Sequence, residues 1–206
     1  MKPTIVILTG PTCAGKTTLE SMLKISGFTA LKSVTTRQPR NGEISGVTYD
    51  FVTLNEFLRM EASLQFIESL KFDDHRYGLT ASEALLAAQT GKPIVVVAEP
   101  HGRDQIVKYA KDNYWDAITV FVDNPPEVIA KRFLSRILVD LRHGFDRHSQ
   151  RLASILSTEA GWRAEAHSGL FRYDLILSSF DETNSKEAVD KIRNYVRTLS
   201  ALRKVA

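Results

Sequence analysis

A glycine-rich segment near the start of the chain constrains its fold more than any other feature. The segment runs from Gly10 to Thr17 and fits the pattern G-x-x-x-x-G-K-[ST] at every fixed position. A buried-strand pattern over Thr4–Thr9 precedes it and a helical pattern over about Thr17–Lys24 follows, which is the setting that supports such a match. In this arrangement backbone N–H groups wrap phosphates, Lys16 reaches the β- and γ-phosphates, and the Thr17 hydroxyl binds Mg²⁺. The segment therefore predicts a nucleoside triphosphate site with a magnesium ion.

The candidate triphosphate-binding residues form one continuous stretch: Gly10, Pro11, Thr12, Cys13, Ala14, Gly15, Lys16, Thr17 and Thr18. Cys13 is the one cysteine of the chain, so no internal disulfide is possible, and this fits a reducing cytoplasm. No activating base lies near it in the sequence, so we interpret Cys13 as a space-filling loop residue. The longest apolar run, Ile94–Ala98, is far shorter than the roughly 20 residues that span a bilayer. We therefore expect a cytoplasmic protein without a transmembrane helix.

Short apolar strands alternate with amphipathic helices along the chain, and we find no internal repeat. This alternation predicts an α/β fold with a P-loop NTPase-type parallel sheet core flanked by helices. Capping patterns indicate helix starts at Thr80 and at Asn124, where a cap, a proline and a glutamate follow in order. A C-terminal helix is predicted from about Asn184. The further predicted strands are Pro93–Ala98, Ala117–Val122 and Leu175–Leu177 with its neighbours.

The composition is that of an ordinary globular chain, with 206 residues, 43% hydrophobic and 25% charged. This length predicts a single domain. The net charge of +3 is too small for a nucleic-acid binder, which usually carries a concentrated basic face. The excess lies in residues 131–151, where six basic and two acidic residues give a local charge of +4. We expect neither nucleic acid nor a membrane as a partner.

A second candidate anion site follows the first helix. The segment from Ser33 onward contains hydroxyl groups and two arginines, Arg37 and Arg40, around a rigid proline turn. These groups suit a phosphate held by charge-assisted hydrogen bonds, although solvated arginines beside a turn give the same pattern. Residues 33–80 also break the alternation, with two turn signals and a short strand over Val47–Val52. They predict a small β-rich flap inserted into the core.

From the phosphate loop onwards the sequence resembles the guanylate kinase family. The resemblance rests on "TTRQPRNGEISGVTYDFV", "FIESLKF", "YGLT", "GKPIVVV", "HGRDQI" and "KRFLSR", in the family's order over almost the whole chain. It implies one domain over residues 1–206: a core over 1–32, 81–136 and 152–206, a flap over 33–80 that binds a nucleoside monophosphate, and a helical lid over 137–151. The residues it assigns to the acceptor are Ser33, Arg37, Arg40, Tyr49 and Tyr77 for the phosphate, and Glu68 and Glu99 for the base.

The basic segment supplies the lid arginines. Arg132 and Arg136 lie four residues apart and share one helix face, and Arg147 and Arg151 repeat this spacing. A cationic lid neutralises charge during phosphoryl transfer and excludes water, and the resemblance gives this role to Arg136 and Arg151 with Arg132 adjacent. Arg147 competes with Arg151, because the lid is longer than the family pattern. Without the resemblance, a solvated basic helix would be the more typical interpretation.

Three positions depart from the family pattern. Leu79 replaces a hydroxyl residue that contacts the base, Val97 replaces an aspartate that organises the metal, and the asparagine expected near Ser178 is missing. Glu99 points the same way as Val97 from the same strand, so it is a candidate for the metal as well as for the base. These changes leave phosphate binding intact and affect the identity of the base.

The function expected from these features is an ATP-dependent nucleoside monophosphate kinase with GMP or dGMP as the default acceptor. Its candidate catalytic residues are Lys16, Arg132, Arg136 and Arg151, and Thr17 is the candidate ligand for the Mg²⁺ that accompanies ATP. Two alternatives stay open: a kinase for another or a modified deoxynucleotide, and a non-catalytic guanylate kinase-like binding module. The intact phosphate loop disfavours the second. A monomer and a homodimer both fit the sequence.

Overall fold

The structure of the chain is a computed structural model. It describes residues 2–39, 43–47, 49–72, 74–139, 153, 155–169, 172–181 and 183–202. Strands and helices alternate along these residues, which confirms the predicted α/β class. Among the helices in these ranges, none has the length and apolar character needed to cross a bilayer.

Five strands form the larger sheet: β1 (Thr4–Thr9), β2 (Thr29–Ala30), β7 (Ile94–Val97), β8 (Asp116–Val122) and β9 (Leu175–Leu177). Their order is β2-β7-β1-β8-β9. Strand β2 pairs with β7 and β8 pairs with β9, both in parallel. All residues of β1 are buried, as its nearly continuous apolar sequence predicts for a strand covered on both faces. The parallel sheet core is confirmed.

Four strands form the smaller sheet: β3 (Ser33–Thr35), β4 (Tyr49–Phe51), β5 (Phe66–Phe72) and β6 (His75–Thr80). Their order is β4-β3-β6-β5, with β3 parallel to β4 and β6 antiparallel to both of its neighbours. This sheet confirms the inserted β-rich segment. The strand predicted over Val47–Val52 is shorter than expected, because Gly46 and Val47 form a turn in which Gly46 has a φ of +80°. The exact boundaries of core, flap and lid stay predictions.

The helices are α1 (Lys16–Ile25), α2 (Leu54–Ala62), α3 (Ala81–Gln89), α4 (Pro100–Asp112), α5 (Pro126–Val139), α6 (Ala160–Ser168) and α7 (Ser185–Leu202), and a π-helical turn over Ile155–Glu159 leads into α6. Thr80 caps α3 as predicted, since its hydroxyl accepts a hydrogen bond from the Glu83 amide. The predicted cap at Asn124 is wrong. Helix α5 begins at Pro126, and the Pro125 carbonyl accepts its first hydrogen bonds.

The chain divides into two compact units: Met1–Ile7 with Gly27–Ala117, and Leu8–Ser26 with Ile118–Ala206. The first unit contains the smaller sheet and an apolar cluster in which Leu79 and Ile106 are fully buried. In the second unit, α1 packs against α7, and the side chains of Leu19, Leu23 and Ile192 are fully buried. The burial of these side chains stabilises each unit by removing apolar surface from water.

Candidate functional site

The predicted phosphate loop joins β1 to α1 in the second unit, and two of its glycines are required by the geometry. Gly10 has a φ of +139°, and a Cβ atom there would lie 2.2 Å from the carbonyl oxygen of Val122. Gly15 has a φ of +102°, and a Cβ atom there would lie 2.7 Å from the ring of Phe180. The absent side chains therefore permit a tight loop whose backbone N–H groups are able to approach an anion.

Lys16 is the first residue of α1, and its ammonium group is held by the loop. Its Nζ atom donates hydrogen bonds to the carbonyl oxygens of Gly10 and Pro11, each at 2.7 Å. Thr17 and Thr18 follow in the exposed first turn of the helix. The N–H groups of a first turn lack partners within the helix, and the helix dipole there favours an anion. A positive charge, N–H donors and a hydroxyl thus lie side by side.

Two side chains from further along the chain hold the loop backbone. Arg132 on α5 donates from Nη1 to the carbonyl oxygens of Cys13 at 3.2 Å and Ala14 at 3.3 Å, and from Nη2 to that of Phe180 at 2.9 Å. The buried Asn124 donates from Nδ2 to the carbonyl oxygens of Ala14 and Phe180, at 2.8 and 3.0 Å. Asn124, predicted as a helix cap, instead ties the loop to the segment around Phe180.

The other predicted lid arginines are placed only in part. Arg136 lies one helical turn beyond Arg132 on α5 and is exposed to solvent. Arg151 and its competitor Arg147 lie outside the described residues. The assignment of catalytic roles within the lid therefore stays a prediction.

A buried carboxylate that contacts the phosphate loop was not predicted from the sequence. Glu159 ends the π-helical turn and is only 1% exposed. Its Oε2 accepts a hydrogen bond from the Thr12 amide at 2.5 Å, and its Oε1 accepts one from the Thr12 hydroxyl at 2.8 Å. The two residues lie 147 positions apart, so no local pattern connects them. One signal was available in the sequence: Glu159, Arg163 and His167 follow each other at a spacing of four, which places them on one helix face.

In the first unit, Arg37 lies among the predicted acceptor-phosphate residues. It is 7% exposed, and its guanidinium group donates two hydrogen bonds to the Glu43 carboxylate, at 2.8 and 3.0 Å. The guanidinium carbon also lies 5.3 Å from the ring centre of Tyr49 and 5.5 Å from that of Phe51. Burial opposes the charge of Arg37, but the hydrogen bonds and charge of Glu43 outweigh it and raise the pKa of Arg37. Glu43, which was not predicted as a site residue, occupies the fork with which Arg37 could grip a phosphate.

Three further predicted phosphate ligands lie close together on the smaller sheet. Ser33 in β3 is the register partner of Tyr49 in β4. The rings of Tyr49 and Tyr77 meet edge to face with their centres 6.3 Å apart. The sheet thus brings Ser33, Tyr49 and Tyr77 together with Arg37, while Arg40 lies outside the described residues.

Glu68 in β5 is a buried carboxylate of the first unit. It is 6% exposed, and its Oε2 atom has no hydrogen-bond partner among the described residues. Burial, and to a lesser extent the negative charge of Glu99, raises the pKa of Glu68 to about 7. A Cβ atom on Gly102 in α4 would lie 2.8 Å from Oε2, so the glycine keeps the space beside this oxygen open. Glu68 thus brings a buried oxygen without a hydrogen-bond partner among the described residues close enough to Glu99 for the two negative charges to interact.

The positions that depart from the family pattern have definite places in the fold. Leu79 is the register partner of Glu68 and is fully buried in the apolar cluster, so it is a core residue. The hydroxyl of its neighbour Thr80 is used at the cap of α3. Val97 is half-buried at the end of β7. The position beside Glu68 on the neighbouring strand therefore holds an apolar core side chain and not a hydroxyl group.

A loop with the phosphate-loop sequence pattern after the first strand of a parallel sheet, together with an inserted β-rich segment, is typical of α/β proteins that bind nucleotides through their phosphates. The family model "Guanylate kinase" matches residues 2–186 of the chain. The chain belongs to the guanylate kinase family.

Curated relatives and a solved structure agree with this assignment. A guanylate kinase of Mycoplasmopsis pulmonis is 36% identical over 140 residues, which cover 66% of this chain and 71% of that protein. Guanylate kinases of Trichormus variabilis and Bifidobacterium longum are 33% and 35% identical, over 64% of this chain and 66% and 69% of their own lengths. The aligned segments thus span about two thirds of these relatives.

The likeness to a solved structure concerns the fold. The crystal structure of a guanylate kinase from Anaplasma phagocytophilum superposes with a TM-score of 0.64 over 96% of this chain and 86% of that chain, at 20% sequence identity. At so low an identity, the superposition supports the architecture and leaves the roles of individual residues to the geometry described above.

Proposed function

We propose that the protein is an ATP-dependent nucleoside monophosphate kinase whose acceptor is GMP or dGMP. The observation that carries this proposal is the buried Oε2 atom of Glu68, which lacks a hydrogen-bond donor among the described residues. The Watson–Crick edge of guanine carries two adjacent donors, N1–H and the 2-amino group, whereas adenine has an acceptor at N1. A carboxylate pair made by Glu68 and Glu99 favours guanine for this reason.

The acceptor phosphate is proposed to bind on the smaller sheet. Arg37 provides the charge, with Ser33, Tyr49 and Tyr77 as hydroxyl donors and Arg40 as a second cation. Glu43 already accepts two hydrogen bonds from Arg37, so an incoming phosphate has to share or displace this carboxylate. The competition makes Glu43 part of the acceptor site.

The donor nucleotide is proposed to bind at the phosphate loop. An oxygen of the acceptor phosphate attacks the γ-phosphorus of ATP, and the bond from this phosphorus to the bridging oxygen of the β-phosphate breaks, which yields ADP and a nucleoside diphosphate. Lys16 and the loop N–H groups hold the triphosphate, and the arginines neutralise the charge that is spread over the transferring group. The arginines proposed for this role are Arg132, Arg136 and Arg151.

Mg²⁺ fits the residues at the start of α1. Thr17 offers an exposed hydroxyl there, and Mg²⁺ commonly takes its remaining ligands from substrate phosphates and water. Within the described part of the chain, no group of three His, Cys, Asp or Glu side chains could hold a metal by itself, which favours a cation that arrives with ATP. When bound, Mg²⁺ neutralises charge on the β- and γ-phosphates. We assign Glu99 to the base, since its charge acts on Glu68.

A coupled assay of ATP consumption with each common ribo- and deoxynucleoside monophosphate tests the proposal. GMP and dGMP should have the highest kcat/KM, and Lys16→Ala should lower kcat by at least about 10²-fold, because one preorganised charge at the transferring phosphoryl group is lost. Lys24→Ala, in the last turn of the same helix, is the matched control and should retain activity. Turnover with no member of the panel, or a preference for another base, would contradict the proposal. A cytoplasmic location and the monomeric or dimeric state stay predictions.

A further inference from the structure

The contact between Glu159 and Thr12 fixes one particular peptide of the phosphate loop. The amide N–H of Thr12 and the carbonyl of Pro11 belong to the same peptide group, which is planar. Glu159 Oε2 accepts from this N–H at 2.5 Å, and the carbonyl oxygen on the other side of the plane accepts from Lys16 Nζ at 2.7 Å. The Glu159 carboxylate and the Lys16 ammonium group thus bind opposite ends of one planar peptide group.

The carboxylate is itself held in place by a second contact of the same helix. Arg163 and His167 follow Glu159 at a spacing of four, and both reach Asp123, which is 2% exposed and follows β8. Arg163 Nε lies 3.0 and 3.1 Å from the two Asp123 carboxylate oxygens, and His167 Nε2 lies 2.8 Å from one of them. One face of α6 and its preceding turn therefore contacts the rest of the second unit at two places, Thr12 and Asp123.

A buried charge is expensive unless hydrogen bonds satisfy it. Glu159 is almost fully buried, and both of its carboxylate oxygens accept hydrogen bonds from a single residue of the loop. A carboxylate at the N–H end of a peptide also polarises it, so that its carbonyl oxygen becomes a stronger acceptor. The expected consequence is a tighter hold on the Lys16 ammonium group.

We infer that Glu159 is a positioning residue that orients Lys16 for the triphosphate through the Pro11–Thr12 peptide. The inference rests on the proposed function in one respect, namely that the ligand of the loop is ATP. It assigns Glu159 no contact with the substrate. Its effect should therefore be confined to ATP and should vanish when the Lys16 ammonium group is absent.

The direct test measures the Kd of ATP and of GMP by calorimetric titration. Glu159→Ala should raise the Kd of ATP about tenfold, since a misplaced group loses much of its binding and catalytic contribution, and should leave the Kd of GMP within about twofold. In a Lys16→Ala background, the same substitution should change the Kd of ATP by less than about twofold, because the effect acts through Lys16. Equal and independent effects in the two backgrounds would overturn the inference.

Conservative variants separate positioning from a purely structural role. Glu159→Gln keeps an oxygen for the Thr12 amide and should recover most of the ATP affinity. Thr12→Val removes the hydroxyl contact but keeps the peptide N–H, so it should raise the Kd of ATP clearly less than Glu159→Ala does. If Thr12→Val raised the Kd of ATP as much as Glu159→Ala, the effect of Glu159 would act through the Thr12 hydroxyl, and the proposed role of the peptide would be wrong. Glu165→Gln, on another face of α6, is the matched control.

Folding is followed in parallel by thermal unfolding. Should Glu159→Ala fail to fold, Glu159→Leu, which fills the buried site but has no acceptor oxygen, replaces it in the cycle with Lys16→Ala, and a lack of coupling there would also refute the inference. A lowered Tm with unchanged ATP binding by the folded protein would show a structural role only. Failure of GMP phosphorylation would refute the proposed function, but it would leave the ATP-binding cycle to decide the role of Glu159.

Discussion

The acidic pair of the first unit allows a quantitative prediction about stability and pH. Glu68 is 6% exposed, Oε2 has no hydrogen-bond partner among the described residues, and burial followed by the charge of Glu99 raises its pKa to about 7. In the unfolded chain the same carboxyl group titrates near 4.5. The folded state therefore binds a proton more tightly than the unfolded state between these two values.

This difference in pKa determines how the free energy of unfolding changes with pH. Below about pH 4.5 the carboxyl group is protonated in both states, so its ionisation does not affect the free energy of unfolding. As the pH rises through 7, the folded state increasingly holds a buried charge, and the free energy of unfolding falls. Raising the pKa from 4.5 to about 7 corresponds to a loss of about 3 kcal/mol in the free energy of unfolding above pH 7. Glu68→Gln removes the charge, so the variant should be more stable than the wild type at pH 8 by up to about 3 kcal/mol.

The assay is urea unfolding of both proteins without nucleotide at pH 5, 6, 7 and 8. The stability difference should grow by about 2–3 kcal/mol from pH 5 to pH 8, while GMP binding by Glu68→Gln weakens at least tenfold, because the carboxylate acceptor is lost. Glu99→Gln should give a smaller change, since its charge is the lesser cause of the raised pKa. A difference that stays constant between pH 5 and pH 8 would refute the reasoning.

Three further predictions concern the second unit. Gly10→Ala should lower the free energy of unfolding, measured with urea, by about 3 kcal/mol or more, because its Cβ would lie 2.2 Å from the Val122 carbonyl oxygen. The control Gly161→Ala has open space around its Cβ and should leave the free energy of unfolding unchanged or raise it. Cys13 has a φ of +61°, which strains a residue with a side chain, so Cys13→Gly should raise the free energy of unfolding by up to about 1 kcal/mol and raise the Tm accordingly. A lower Tm would contradict backbone strain at this position. Arg136→Ala should lower kcat by up to ~10³-fold in steady-state kinetics, and an effect on KM alone would argue against charge neutralisation.

Much of the fold was predictable because its signals are local. The strand Thr4–Thr9 occurs with the predicted bounds. The strand predicted at Leu175–Leu177 and its neighbours occurs as Leu175–Leu177, and the helix predicted over about Thr17–Lys24 occurs as Lys16–Ile25. Buried strands and capped helices are written in runs of four to ten residues, so neighbouring side chains suffice to indicate them. The cap at Asn124 failed because the same Asn side chain satisfies carbonyl groups of the phosphate loop instead.

The candidate site was predictable only where a motif carries it. The phosphate loop with Lys16 could be read directly, and the resemblance to the family supplied Arg37 and Glu68. Glu43 lies only six positions from Arg37, yet its role depends on a turn that brings the carboxylate onto the guanidinium group. Such pairings are decided by the path of the backbone, which residue types alone do not determine.

The sequence by itself therefore determined an alternating α/β chain of the guanylate kinase family and predicted a phosphate-binding loop in it, because fixed spacing and periodicity are properties of neighbouring residues. Only the tertiary structure decided which carboxylate destabilises the folded state when it is ionised and which one binds the backbone of the phosphate loop. Glu159 accepts hydrogen bonds from Thr12 across 147 positions, and the buried Oε2 of Glu68 has no hydrogen-bond partner among the described residues. Burial and hydrogen-bond satisfaction depend on residues brought together from distant parts of the chain, and no local pattern records them.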